Sequence, residues 1–254
     1  MIALPACGPE CPSANRYYRA VSTTMPPDGS DGSLLLPVGH YVGIQYRIGA
    51  ASAPRQVRRG ARFHDLTEEQ FAVWAAAHGS ADAIENDVPW QRQSVERHPS
   101  VAGLDGASEI IDGFLAEGLL VEVTPSHDQA IAFARSHRVM PLMLGLGNRA
   151  DEPDVFGIGF LTQPVIEVSH PIYDLWQWSA MDDSLWATCE NAADVARRAR
   201  STDPESLEPV RLLTGFLGSL HAILLANAAC LDIDFRLTWP GRAAMERATA
   251  GDNG

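Results

Sequence analysis

Lysine is absent from this 254-residue chain; all 19 basic residues are arginine, a pattern that fits a GC-rich coding bias better than a binding role. Basic charge is also scarce beside 32 Asp and Glu, and the net charge is -13. That balance works against broad nucleic-acid binding, where a basic face must neutralise phosphates. Long apolar runs are missing too: no window approaches the roughly 18 residues needed to cross a bilayer. The N-terminal MIALPACGPECPSANRYY has neither a basic n-region nor a full apolar h-region, and LPAC, a lipoprotein-like box, has no apolar segment ahead of it. A cytoplasmic protein is expected. The four cysteines are too few and too unevenly spaced for a disulfide framework. Cys7 and Cys11 lack a second pair of ligands, and none of the eight histidines stands at ligand spacing from another His or Cys, so neither a metal nor a cofactor is expected.

What is present suffices for a folded core: 46% of the residues are hydrophobic. Residues 1–37, rich in Pro, Gly, Ser and Asp, read as a flexible tail, as do residues 240–254. Between them, YVGIQYRIG (Tyr41 to Gly49) alternates as a strand and APRQVRRGARFHDL supplies a turn and a second strand. Thr67-Glu68-Glu69-Gln70 is a capping box, so a helix begins there, with Phe71, Val73, Trp74 and Ala77 on one face and Gly79 as its stop. Residues 80–106 are irregular, with a short helix near 91–97. Ser108 caps a further helix with Ile110, Ile111, Phe114 and Leu115 as its apolar stripe, and LLVEV leaves it as a strand.

The second part of the chain repeats this order. VMPLMLGLG stands where YVGIQYRIG stood, Glu167-Val168-Ser169 answers Asp65-Leu66-Thr67, and Tyr173 and Trp176 follow at the spacing of Phe71 and Trp74. The closing LHAILLANAACLDI matches IIDGFLAEGLLVEV, with Glu122 and Val123 against Asp232 and Ile233; the separation between copies grows along the chain. The expected fold is α+β, two tandem winged-helix-like units related by internal duplication, each a small antiparallel sheet on a three-helix core. The units span residues 38–124 and 139–239, and residues 125–138 form a linker with a short helix around Ala130 to Arg135.

No enzyme signature stands out. Gly145 to Ala150 satisfies G-x-G-x-x-A, but Asp151, Glu152, Pro153 and Asp154 follow where a phosphate-binding helix should start, so a hairpin turn is expected. Ser219 lies in a helical stretch without a nucleophile elbow, and Asp182-Asp183 and Asp232 with Asp234 read as solvated carboxylates. Trp74 and Trp176 read as core. The feature that does stand out is Arg47, Arg55, Arg58, Arg59 and Arg62 with no acidic residue between them. This basic hairpin in an acidic chain is expected to recognise an anion, either an acidic peptide adding as a strand to the sheet edge or the DNA backbone. The helix from Ser108 to Leu119 carries Glu109, Asp112 and Glu117 and no arginine, which favours the peptide and leaves a winged-helix transcriptional regulator as the alternative.

The strand order, Leu66-Thr67 opening a helix with Phe71 and Trp74, and the stretch IIDGFLAEGLLVEV resemble PqqD-type peptide chaperones and the related recognition elements of ribosomally made, modified peptides. The resemblance covers each repeat. It implies a non-catalytic recognition or adaptor protein that binds a peptide or a partner enzyme between the third strand and the third helix, here Val57 through His64 and Ile110 through Leu119. His64, Phe114 and Glu117 join the five arginines as site residues on that basis.

Overall fold

The structure, a computed structural model, describes residues 18–20, 32–46, 48–49, 53–124, 127–234 and 236. The first part holds strands β1 (Tyr18–Ala20), β2 (Leu34–Pro37), β3 (His40–Ile44), β4 (Arg55–Arg59) and β5 (Arg62–Leu66). Helices α1 (Glu68–Ala76), α2 (Ala81–Glu85), α3 (Arg92–Glu96) and α4 (Ala107–Glu117) follow, and then β6 (Leu120–Val123). The second holds α5 (His127–Ser136), β7 (His137–Pro141), β8 (Leu144–Arg149), β9 (Glu152–Phe160) and β10 (Gln163–Ser169). It ends with α6 (His170–Trp178), α7 (Leu185–Arg198), α8 (Pro204–Leu207), α9 (Pro209–Leu225) and β11 (Ala229–Ile233). The fold is α+β with small sheets, ordered β3-β4-β5, β1-β10-β9-β8, β2-β6 and β7-β11. Among the described residues no helix is long and apolar enough to cross a membrane.

Two cores form, and β2 touches both. Leu35 packs with Val57, Trp74, Ile111 and Phe114, whereas Leu36 packs with Val139, Trp176, Phe216 and Leu231. Side chains on a strand alternate between faces, so a run of leucines serves two cores at once. The run LLLP has no period of its own and falls within the segment read as tail; its antiparallel ladder to β6, from Leu34 opposite Val123 to Pro37 opposite Leu120, makes it structural. The segment read as linker is structural as well. His127–Ser136 is a helix whose Ala130, Phe133 and Ala134 are buried in the second core, and β7 begins directly after it.

Local signals around α1 hold. The Thr67 hydroxyl accepts from Gln70 N–H at 3.2 Å and the Gln70 side chain accepts from Thr67 N–H at 3.0 Å, so both arms of the capping box are made. Ser108, by contrast, is not a cap. Gly106, at φ 77°, precedes the helix, and the Ser108 hydroxyl accepts from Arg92 at 2.7 Å. The irregular middle contains the two short helices α2 and α3.

Each part closes in the same manner. Val38 N–H donates to Leu119 O at 2.9 Å, and Leu142 N–H donates to Ala228 O at 2.9 Å. Helix α4 ends at Gly118 with φ 72°, and α9 leads into Asn227 with φ 53°; both residues adopt the left-handed conformation that turns a helix into a strand. These bonds correct the match drawn from the sequence in two places. VMPLMLGLG is two strands, β7 and β8, and β7 occupies the place of β2. The helix-and-strand segments slide by one residue, so Asp232 stands where the first part has Val123. A one-residue slip exchanges the faces of a strand. Asp232, read as a solvated carboxylate, is 2% exposed, and Asp234 is 3% exposed.

Burial also sets a titration behaviour. The His221 Nε2–H donates to Leu35 O at 3.0 Å, and His78 Nδ1–H donates to Ala75 O and Trp74 O at 3.1 and 3.2 Å. Burial lowers both imidazoles from 6.5 to about 4. As pH falls, the unfolded chain binds protons before the folded one. The stabilisation is therefore complete above 6.5 and is lost as pH falls from 6.5 to about 4. Urea midpoints measured across that interval should decline steadily with acidification, and His221→Gln, which keeps a donor for Leu35 O but cannot titrate, should give a shallower decline.

Candidate functional site

The arginine hairpin is built from β4 and β5, joined by the two-residue turn Gly60-Ala61. Its register, Arg55 opposite Leu66, Val57 opposite His64 and Arg59 opposite Arg62, fixes which side chains share a face. Val57 and Leu66 are buried, so Arg55, Arg59, Arg62 and His64 lie on the core-facing side, while Arg58, Phe63, Gln56 and Asp65 lie on the other. The arginines that sit together in sequence thus divide between two faces, and they do not form one anion-recognising cluster. Arg47 lies outside the described residues.

Each described arginine has its own surroundings. Arg55 reaches Glu68 Oε1 at 3.3 Å and lies over the Phe71 ring, 5.5 Å from its centre. Arg59 packs its guanidinium beside Gly118, so tightly that a Cβ there would come within 2.6 Å of Nη2. A cation at this point meets the carbonyl-rich end of α4, a favourable arrangement for a helix dipole. Arg62 is exposed at the end of the hairpin. His64 Nδ1 lies 3.8 Å from the exposed Glu117 carboxylate, while its Nε2 is buried without a hydrogen-bond partner among the described residues. Burial lowers the His64 pKa, opposed by Glu117 and reinforced by Arg59 and Arg62. Phe114 is 3% exposed and belongs to the first core rather than to a surface groove. The described site residues brought together on one surface are therefore Arg59, Arg62, His64 and Glu117, where the hairpin meets the end of α4.

The tip of the hairpin is occupied from the other side. Gly60 N–H donates to Asp232 Oδ1 at 2.6 Å, and the same oxygen accepts from Ile233 N–H at 2.9 Å. Arg138 Nη2 lies 3.7 Å from Oδ2. Arg58 and Asp232 also face His40, whose pKa falls chiefly through burial, with Arg58 lowering it further and Asp232 opposing. A second bridge, Gly39 N–H to Leu231 O at 2.7 Å, joins the start of β3 to β11. The sequence offered one signal for this arrangement: an aspartate inside the otherwise apolar strand ACLDI.

The edge of β5 is different. It pairs with β4, and among the described residues no second strand pairs with it. In a two-residue hairpin the closing pair, here Arg59 and Arg62, exchanges both backbone bonds, and every second pair after it does the same. The N–H and C=O groups of Phe63 and Asp65 therefore point outward. Phe63, 58% exposed, stands beside this edge on one face, and His64 with Glu117 on the other. The sequence named His64 and Glu117 but passed over Phe63 and Asp65, because what they contribute is backbone, which leaves no mark in residue type.

A cavity of about 320 Å³ opens nearby, lined by Tyr41, Phe71, Trp74 and His78 from the first part and by Leu225 and Cys230 from the second. Tyr41 and Phe71 lie 4.7 Å apart and Trp74 and His78 4.6 Å apart, ring centre to ring centre. The Trp74 indole N–H donates to Val38 O at 3.3 Å, and burial pushes the Cys230 thiol up to about 12. In the second part, Ala150-Asp151 turns β8 into β9 as a hairpin, and Arg149 reaches Glu167 at 2.8 Å and also Glu152. Among the described residues no group of three His, Cys, Asp or Glu is placed to hold a metal ion, and Cys7 and Cys11 lie outside them.

Removing the buried Asp232 carboxylate tests the docking of the hairpin tip. Asp232→Ala is expected to destabilise the chain by about 3 kcal/mol, since the Gly60 N–H and the Arg138 charge lose this acceptor in a buried setting. Asp232→Asn, which keeps an acceptor for Gly60, is expected to cost less. Equilibrium urea denaturation of the three chains gives both values.

Neither a protein-family model, nor a curated protein, nor a solved structure matches this chain.

Proposed function

We propose that the chain is a non-catalytic recognition protein that binds an extended peptide segment of a partner by adding it as a strand to the outer edge of β5, beside the end of α4. The observation that carries this reading is the contrast between two equivalent edges. β5 and β10 each precede a helix opened by Thr or Ser and bearing an aromatic residue and a tryptophan. The β10 edge carries a further strand, β1, whereas the β5 edge carries none among the described residues. Strand addition at such an edge derives affinity from backbone hydrogen bonds and selectivity from side chains on either face. Here those are Phe63 and Arg58 on one side and Arg62, His64 and Glu117 on the other.

Two tandem winged-helix-like units arising by duplication fit the matched closures, the matched left-handed helix exits and the shared position of Trp74 and Trp176. A role as an adaptor in the making of a modified peptide agrees with the family resemblance noted above. The partner's charge is less narrowly specified than the arginine count alone suggests, because Arg55 has Glu68 and Arg59 is packed under α4. The alternative of duplex DNA binding meets Glu109, Asp112 and Glu117 on α4, carboxylates that would face phosphates.

Selection of a displayed library of random peptides on the full chain tests the proposal. Enriched peptides should lose roughly tenfold or more in affinity against Phe63→Pro, which removes one outward N–H while leaving the ladder to β4 intact. Equal binding to that variant, no enriched peptide at all, or steeply salt-dependent binding to heterogeneous duplex DNA would overturn it.

A further inference from the structure

Strand addition at β5 leaves the cavity between the two parts without a task. That cavity lies between α1 with the start of β3 on one side and the turn from α9 into β11 on the other. We infer that it binds a small, uncharged aromatic molecule that donates a hydrogen bond from a ring N–H or a hydroxyl. Its volume, about 320 Å³, suits a guest of one or two fused rings. This inference goes beyond the β5 reading and does not rest on it.

Aromatic side chains build one wall. Phe71, Trp74 and His78 recur at three- and four-residue spacing, so α1 and the turn after it present them on one side, and Tyr41 of β3 continues the row. From Tyr41 to His78 successive ring centres lie 4.7, 6.1 and 4.6 Å apart, the range in which aromatic rings pack, and a further ring can join them. Ala75 lines the same wall, and its single methyl leaves the space that a larger side chain would fill. Tyr41, Phe71 and Leu225 are only partly buried, and Leu142 is 37% exposed. A planar apolar guest would cover this surface, which favours its binding.

The lining also selects against ions. Among the described residues that line the cavity, none is Asp, Glu or Arg. Two charged groups close by are engaged elsewhere: Arg55, over the Phe71 ring, reaches Glu68, and Asp232 accepts from Gly60 and Ile233. Burial keeps two imidazoles and a thiol of the lining neutral, lowering His78 to about 4 and His40 below its ordinary value, and raising Cys230 to about 12. A charged guest would give up its hydration without meeting a counter-charge. His78 sets the polarity of the guest. Its Nδ1–H donates to Trp74 O and Ala75 O, so the neutral ring has only Nε2 to offer, and offers it as an acceptor. Asn227, exposed at the exit of α9, adds an amide to the same lining.

Indole is the probe, titrated into the isotopically labelled full chain and followed by its N–H resonances. Saturable shifts of the Trp74 side-chain N–H and of the Gly39 and Cys230 backbone N–H groups are expected. No saturable shift up to the solubility limit of indole, or shifts confined to residues away from the lining, would overturn the site. Ala75→Leu keeps a good helix former while filling the space, and should weaken binding about tenfold or more; undiminished binding to that variant would place the guest elsewhere. N-methylindole, which lacks the donor, should bind about tenfold more weakly than indole, and equal affinity would overturn the role of His78 as acceptor. Benzamide and benzoate share a shape and differ in charge, so benzoate should bind about tenfold or more weakly. Equal affinity of those two would overturn the selection against ions. Should Ala75→Leu prevent folding, the resonances that shift in the unaltered chain and the two ligand pairs decide.

Discussion

A carboxylate with almost no exposed surface must find its partners within the protein, and Asp232 finds them in both parts of the chain. Its Oδ1 accepts from Gly60 at the tip of the β4–β5 hairpin and from Ile233 in its own strand, while Arg138 lies beside Oδ2. Hydrogen bonds to a charged acceptor in a low-dielectric setting are stronger than neutral ones, and leaving one unmade is costly. Rotation of the hairpin away from β11 would break the bond to Gly60 and bring water or emptiness to a group that tolerates neither. The hairpin is therefore held by its tip, and the positions of β5, Phe63 and His64 follow from that anchor.

The same anchor explains what becomes of the arginines. A hairpin fixed at Gly60 presents one face to α4, while β3 pairs with β4 in the same sheet. Alternation sends Arg59 under the end of α4 and turns Arg58 to the opposite face. Two of the charges then balance acceptors inside the molecule: Arg55 meets Glu68, and Arg59 meets the carbonyl end of α4. What remains at the surface is a sheet edge with the exposed Phe63 beside it. An edge of this kind is also an aggregation hazard that native proteins cover or blunt. In the second part the chain covers the equivalent edge with its own residues; in the first, Asp65 and Arg62 supply the charge that discourages indiscriminate pairing.

Local chemistry was legible in the sequence wherever a few neighbouring residues decide the outcome. The capping box at Thr67, the stop at Gly79, the turn after Gly147 and the burial of Trp74 and Trp176 all depend on contacts within a turn or on one helical stripe. Long-range pairing was not legible. Leu34–Pro37 has no period to read because its two faces meet two different cores, and its partner β6 lies beyond four helices. His127–Ser136 offers few apolar residues, yet Phe133 and two alanines suffice once the second core is there to receive them. The site divides along the same line. His64 and Glu117 could be named from pattern, but the separation of Arg58 from Arg59 required the register of a ladder, and the open edge required knowing which strand has no neighbour.

The slip at the closing strand shows how much one residue of register can carry. Matching Asp232 with Glu122 places both on a solvated face, and the aspartate then has no structural task. The backbone bonds match it instead with Val123, an inward position where the first part has a methyl-bearing side chain and the second has a charge. Within the second part the carboxylate has the Ile233 N–H and the Arg138 guanidinium to offset its burial. The hairpin of the first part adds the Gly60 N–H at 2.6 Å, the shortest of these contacts. Strand β11 is therefore adapted to packing against the first part, and a binding event at β5 would act on a hairpin already braced by the second core.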